Sequence, residues 1–136
     1  MADLTQTAAN VGIKSKTIGT QILQAGEGIV QGQPLYKKAA DGKAWLADAD
    51  TLAEATGIGI SLTSCATDEY VLFAKTGDVD LGATLAVATT YVISTNVGKI
   101  APIGDLTTGD YVSILGTAST TATLKMSIDN TGQVKP

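Results

Sequence analysis

From residue 17 to the C-terminus no apolar run continues for more than a few residues before Gly, Asp, Asn or Thr interrupts it. Runs of that length, many alternating apolar with polar, suit short strands joined by tight turns and leave no stretch for long helices. The chain is therefore expected to be all-β, a small β-barrel or β-sandwich with at most one short helix. Strands are predicted at 17–23, 34–38, 44–47, 58–62, 70–75, 78–81, 91–94, 99–102, 111–116 and 121–128. The helix is predicted within 48–56, where Leu52, Ala53, Glu54 and Ala55 follow the candidate caps Asp48 and Asp50.

Two turns have a mechanism. Asp41-Gly42 sits between Leu35-Tyr36-Lys37 and Ala44-Trp45-Leu46, and a pair tolerant of positive φ closes a hairpin there. Asn96-Val97-Gly98 does the same between Tyr91-Val92-Ile93 and Ile100-Ala101-Pro102. Set side by side, the hairpins predict an internal repeat of about 28–77 on 83–132. Tyr36, Gly42-Lys43 and Asp48 find echoes in Tyr91, Gly98-Lys99 and Asp105. At 136 residues one domain is expected, 17–136, preceded by an N-terminal arm, 1–16.

The apolar fraction is 44% but aromatics are only 4%, so Ala, Ile, Leu and Val must fill the core. A core with so few large rings is thin. Part of the stability is then expected to come from association with other copies or a larger scaffold. His and Arg are both absent, the net charge is −4 and the nine basic residues are all Lys, scattered along the chain. That pattern opposes nucleic-acid binding, which concentrates cations on one face. It also removes the commonest general base, the commonest metal ligand and the bidentate anion clamp.

What remains of reactive chemistry reads as structure. The carboxylate pairs Asp48/Asp50, Asp68/Glu69 and Asp78/Asp80 match no calcium loop, and Asp78-Val79-Asp80 alternates as a strand with a solvated acidic face. Cys65 has no partner cysteine and no neighbouring base, so it reads as a small semi-buried side chain. No G-x-G-x-x-G or G-x-S-x-G element is complete. No catalytic, cofactor or metal residue is expected, and the chain is read as not an enzyme. With no apolar run of membrane-spanning length and no secretory leader pattern, neither membrane insertion nor signal-directed export is expected.

Contact residues are sought instead. The polar segment 1–16 reads as an arm that is mobile or that orders against a partner, with Leu4, Val11, Ile13, Lys14 and Lys16 as its candidate contacts. Tyr36 and Trp45, opposite one another in the first hairpin, complete the set. Trp45 reads first as a core anchor and second as an interface hot spot.

The run from Ala25 through Gly32-Gln33-Pro34-Leu35-Tyr36, then Gly42-Lys43-Ala44-Trp45-Leu46-Ala47-Asp48-Ala49 and Ala55-Thr56-Gly57-Ile58-Gly59-Ile60, resembles small tailed-bacteriophage capsid decoration (cement) proteins. So do Tyr91 through Ser94, Gly98 through Pro102 and Tyr111 through Gly116. The resemblance implies a β-barrel or β-sandwich subunit, made in the host bacterial cytoplasm, that forms homotrimers on the outer surface of an icosahedral head. Its partners would be the major capsid protein and itself, with no nucleic acid, membrane or cofactor. The alternative reading is a phage tail or fibre adhesin or a carbohydrate-binding β module, which needs exposed aromatic platforms.

Overall fold

The computed structural model describes residues 3–14 and 19–136, and its ten strands form one antiparallel sheet. They are β1 (Val11–Ile13), β2 (Gly19–Gln24), β3 (Pro34–Lys37), β4 (Ala44–Leu46), β5 (Gly57–Ser61), β6 (Tyr70–Leu81), β7 (Thr90–Ile93), β8 (Ile100–Pro102), β9 (Tyr111–Ala118) and β10 (Thr123–Val134). Among the described residues there is one α-helix, α1 (Leu52–Ala55), of a single turn, and its N-cap is Thr51 rather than Asp48 or Asp50. The sheet curls into a half-barrel, so the fold is all-β and barrel-like, as the spacing of turns predicts. Among the described residues no helix is long and apolar enough to cross a membrane.

The sheet runs β4-β3-β5-β6-β10-β9-β7-β8, with β1 and β2 both paired to β6. The same succession of strands, hairpin then long pair, therefore occurs on each side of the β6–β10 ladder. Details recur too. A register shift follows Leu35 in the β3–β5 pair and Tyr91 in the β7–β9 pair. Lys38 N–H donates to Lys43 O at 3.0 Å in the first hairpin, as Ser94 N–H donates to Lys99 O at 3.0 Å in the second. Leu35 thus corresponds to Tyr91 and Tyr36 to Val92, one residue away from the Tyr36–Tyr91 match that the sequence proposes.

The two strands predicted at 70–75 and 78–81 are one strand, β6. Gly77, read as a break, has φ +97 and still pairs with Met126. Only a residue without Cβ takes that backbone cheaply inside a strand. The kink shifts the alternation by one: Ala74 faces the main core before it, and Val79 and Leu81 face the same core after it. Val71 and Phe73 point the other way, into a second cluster with Ala25, Ile29, Leu35 and Ala44. Both clusters are built mainly from aliphatics, and Phe73 is the largest fully buried side chain.

Backbone bonds tie the ends of the sheet together. After β4, Gly98 N–H donates to Ala47 O at 2.9 Å, Ala49 N–H to Ser94 O at 3.0 Å and Tyr111 N–H to Ala49 O at 3.0 Å. The Asn130 carboxamide accepts from Gly57 N–H at 3.0 Å and donates to Gly57 O at 2.9 Å, which stitches β10 to β5 as a backbone pair would.

Candidate interaction site

The segment predicted as a mobile or partner-ordered arm lies, over residues 3–14, against its own domain. A short 3-10 turn, Ala8–Asn10, brings it into β1, whose three residues pair with Leu81, Asp80 and Val79. Leu4 N–H donates to Ile100 O at 2.8 Å, Thr7 N–H to Gly82 O at 2.6 Å and Lys14 N–H to Asp78 O at 2.8 Å. The Gln6 carboxamide donates to Gly32 O at 2.9 Å and Leu81 O at 3.0 Å. Asp3 accepts from the Ser94 hydroxyl at 2.6 Å and the Asn96 amide at 2.8 Å. The physical reason for docking is that β6 leaves an edge of N–H and C=O groups that would otherwise face water unpaired.

This strap is held mainly by polar groups. Val11 is its one buried apolar side chain, and Leu4 packs partly buried on the main core. The body is shaped to receive it: a methyl at Gly82, where φ is +67, would overlap the Thr7 carbonyl, and one at Gly32 would lie 2.8 Å from the Val11 side chain. Ile13, 49% exposed, and Lys14 face outward. Lys14 Nζ lies 3.7 Å from the Asp80 carboxylate, an exposed ion pair of small worth. Lys16 and the start of the strand predicted at 17–23 lie outside the described residues.

Tyr36 and Trp45 are register partners on β3 and β4, as the hairpin predicts. Both are engaged within the chain. Tyr36 is buried, and its hydroxyl pKa is raised by that burial and then by Glu54, Glu27 and Asp41. Trp45 is half-buried, lies against Gly26 and has Lys38 Nζ 4.3 Å from its ring centroid. Its indole N–H donates to the Asp41 carboxylate at 3.2 Å. Asp41 is held below the usual carboxylate range by the Lys43 N–H, then by Trp45 and the flanking lysines.

No family model, curated protein or solved structure matches the chain.

Six of the seven candidate contacts thus separate into two places, Leu4, Val11, Ile13 and Lys14 on the strap and Tyr36 and Trp45 on the first hairpin, while Lys16 lies outside the described residues. Sequence reasoning missed Gln6, which anchors the strap, and Gly32 and Gly82, which build its seat. A glutamine in a polar segment carries no signal of its own, and the glycines resemble those of any turn. It also missed β2 as an edge. Among the described residues β2 pairs with β6 alone; it has no charged residue or proline and exposes Ile22 by 60%, and Tyr70, at the neighbouring start of β6, is 69% exposed. An uncharged strand edge is the usual template for pairing with another chain.

A polar groove of about 590 Å³ runs between the strap and the β7–β8 turn, lined by Asp3, Gln6, Ser94, Asn96, Lys99 and Asp105 among others. Within it the Asp3 carboxylate accepts from the Ser94 hydroxyl and the Asn96 amide. Elsewhere burial raises the pKa of Asp48 and of the Cys65 thiol. A raised thiol pKa keeps sulfur protonated and unreactive.

Proposed function

We propose that this protein is a structural subunit that decorates and stabilises the outer surface of an icosahedral bacteriophage capsid by bridging major capsid proteins. It acts as a homotrimer, is made in the bacterial cytoplasm and ends in the virion. The reading rests first on the likeness of residues 25–60 and 91–116 to decoration proteins. The structural observation that favours a surface-presenting role is the uncharged free edge of β2 beside Ile22 and Tyr70. Exposed apolar side chains also occur far along the chain, at Leu52, Val87, Val97 and Val134. Several weak contacts repeated around a symmetric shell give avidity without any single tight site.

A sugar-binding module is the weaker reading, because Trp45 is clamped by Lys38 and Gly26 instead of offering a bare face. Light scattering tests the proposal. The expected mass is three times the 13.8 kDa chain, and the trimer should co-sediment with expanded phage heads stripped of their own decoration protein. A monomer that ignores such heads but binds an immobilised glycan would overturn it.

A further inference from the structure

The strap and its seat carry an inference that deepens the assembly reading and rests on it. Among the described residues, the hydrogen bonds that dock the strap on the domain go to residues distant in sequence: Gly32, Asp78 to Gly82, Ser94, Asn96 and Ile100. Such contacts are the same whichever copy supplies the strap. The seat is also specific, since the positive-φ Gly82 and Gly32 leave room for Thr7, Gln6 and Val11 and would not leave it with a side chain. The strap's hold is mostly hydrogen bonds around one buried apolar residue, so it belongs among the elements that open at low cost. Opening uncovers the edge of β6 at Val79–Leu81, and an uncovered edge is re-paired by the nearest strand that fits.

We propose that the edge of β6 is a strand-acceptor site that takes residues 3–14 of a second copy in place of its own, so that strap exchange links subunits. Contacts being equal, the balance between closed and exchanged forms is set by subunit concentration against the effective concentration of the tethered strap, of the order of millimolar for a short tether. Crowding on a shell moves that balance toward exchange, and linking identical elements across copies is a low-cost route to oligomers.

Disulfide trapping tests this. Gly12 and Asp80 are register partners, and nothing lies within 4 Å of a Cβ built on Gly12. Opposed strand positions meet disulfide geometry. Gly12→Cys with Asp80→Cys, in a Cys65→Ser background, is refolded at about 10 μM and about 1 mM chain, the first far below that effective concentration and the second comparable to it. After oxidation, covalent dimers and larger species should rise at least tenfold in fraction between the two. Intramolecular disulfide alone at both concentrations would overturn the proposal. Adding Gly82→Ala should abolish the intermolecular bond, and covalent oligomers that persist would place the link elsewhere and equally overturn it.

A second measurement avoids the cysteines. Isotope-labelled and unlabelled wild-type chains, refolded together at about 1 mM, should show intermolecular NOEs between β1 and β6, and their absence contradicts exchange. Light scattering of the wild-type chain keeps the two ideas apart: a trimer whose strap stays home defeats exchange and leaves the assembly reading standing. A monomer with exchange-competent straps at high concentration does the reverse.

Discussion

Gly59 and Gly116 occupy corresponding places in the two halves, each opposite a carbonyl of the next strand. A methyl on Gly59 would overlap the Ala74 carbonyl, and one on Gly116 the Lys125 carbonyl. Backbone cannot swing aside as a side chain can, so Gly59→Ala and Gly116→Ala are each expected to cost about 1–3 kcal/mol. Urea midpoints at unchanged m-value are the check. Equal midpoints for wild type and variants would mean that the ladders relax without strain. Asp48 gives a second residue-scale prediction. It is buried and accepts from Asp50 N–H at 2.8 Å, and burial raises its pKa, with Asp50 and Glu54 adding to the rise. A raised carboxyl pKa means that the fold favours the neutral acid. Its stabilising share is full below the ordinary carboxylate range and is lost as pH rises through the folded value. Asp48→Asn keeps the acceptor and stays neutral. It should raise Tm at pH 7 and leave Tm unchanged near pH 3, below the ordinary value of about 3.9. A lower Tm at neutral pH would show that the charge is needed.

At the scale of elements, the strap and β6 lie at opposite ends of local stability. β6 is paired along both edges, by β1 and β2 and by β5 and β10, and both its faces bury side chains. The strap has one buried apolar anchor. Native-state hydrogen exchange should therefore show the Leu4, Thr7 and Lys14 amides exchanging through local opening, at least tenfold faster than the Val79 and Ala74 amides, which await global unfolding. Uniform protection across strap and β6 would show the strap to be part of the global folding unit. Both hairpins were legible because turn chemistry is local: Gly42 and Gly98 have φ +70 and +72 where the sequence places them. The continuity of β6 was not legible, because Gly77 carries the same local signature and only the pairing of Gly77 with Met126 makes it a kink inside a strand. The docking of residues 3–14 was hidden for a related reason. Backbone bonds to Ile100, Gly82 and Asp78 leave no trace in side-chain type.

For the whole molecule, β2 offers another chain an edge that is unpaired among the described residues. Ile22 is largely exposed, so Ile22→Lys should change stability by less than about 0.5 kcal/mol while placing a charge on the edge. If copies meet along this edge, the variant should sediment at lower average mass than wild type at equal concentration. An unchanged mass would move the contact elsewhere. The all-β class, the hairpins and the aliphatic core were settled by the sequence, since turn residues and the period of two act over a few residues. The seat of the strap, the one-residue shift of alternation in β6 and the clamping of Trp45 were decided only by tertiary structure. Each depends on which distant backbone groups and side chains come within hydrogen-bonding or van der Waals reach, and one-dimensional patterning does not encode that proximity.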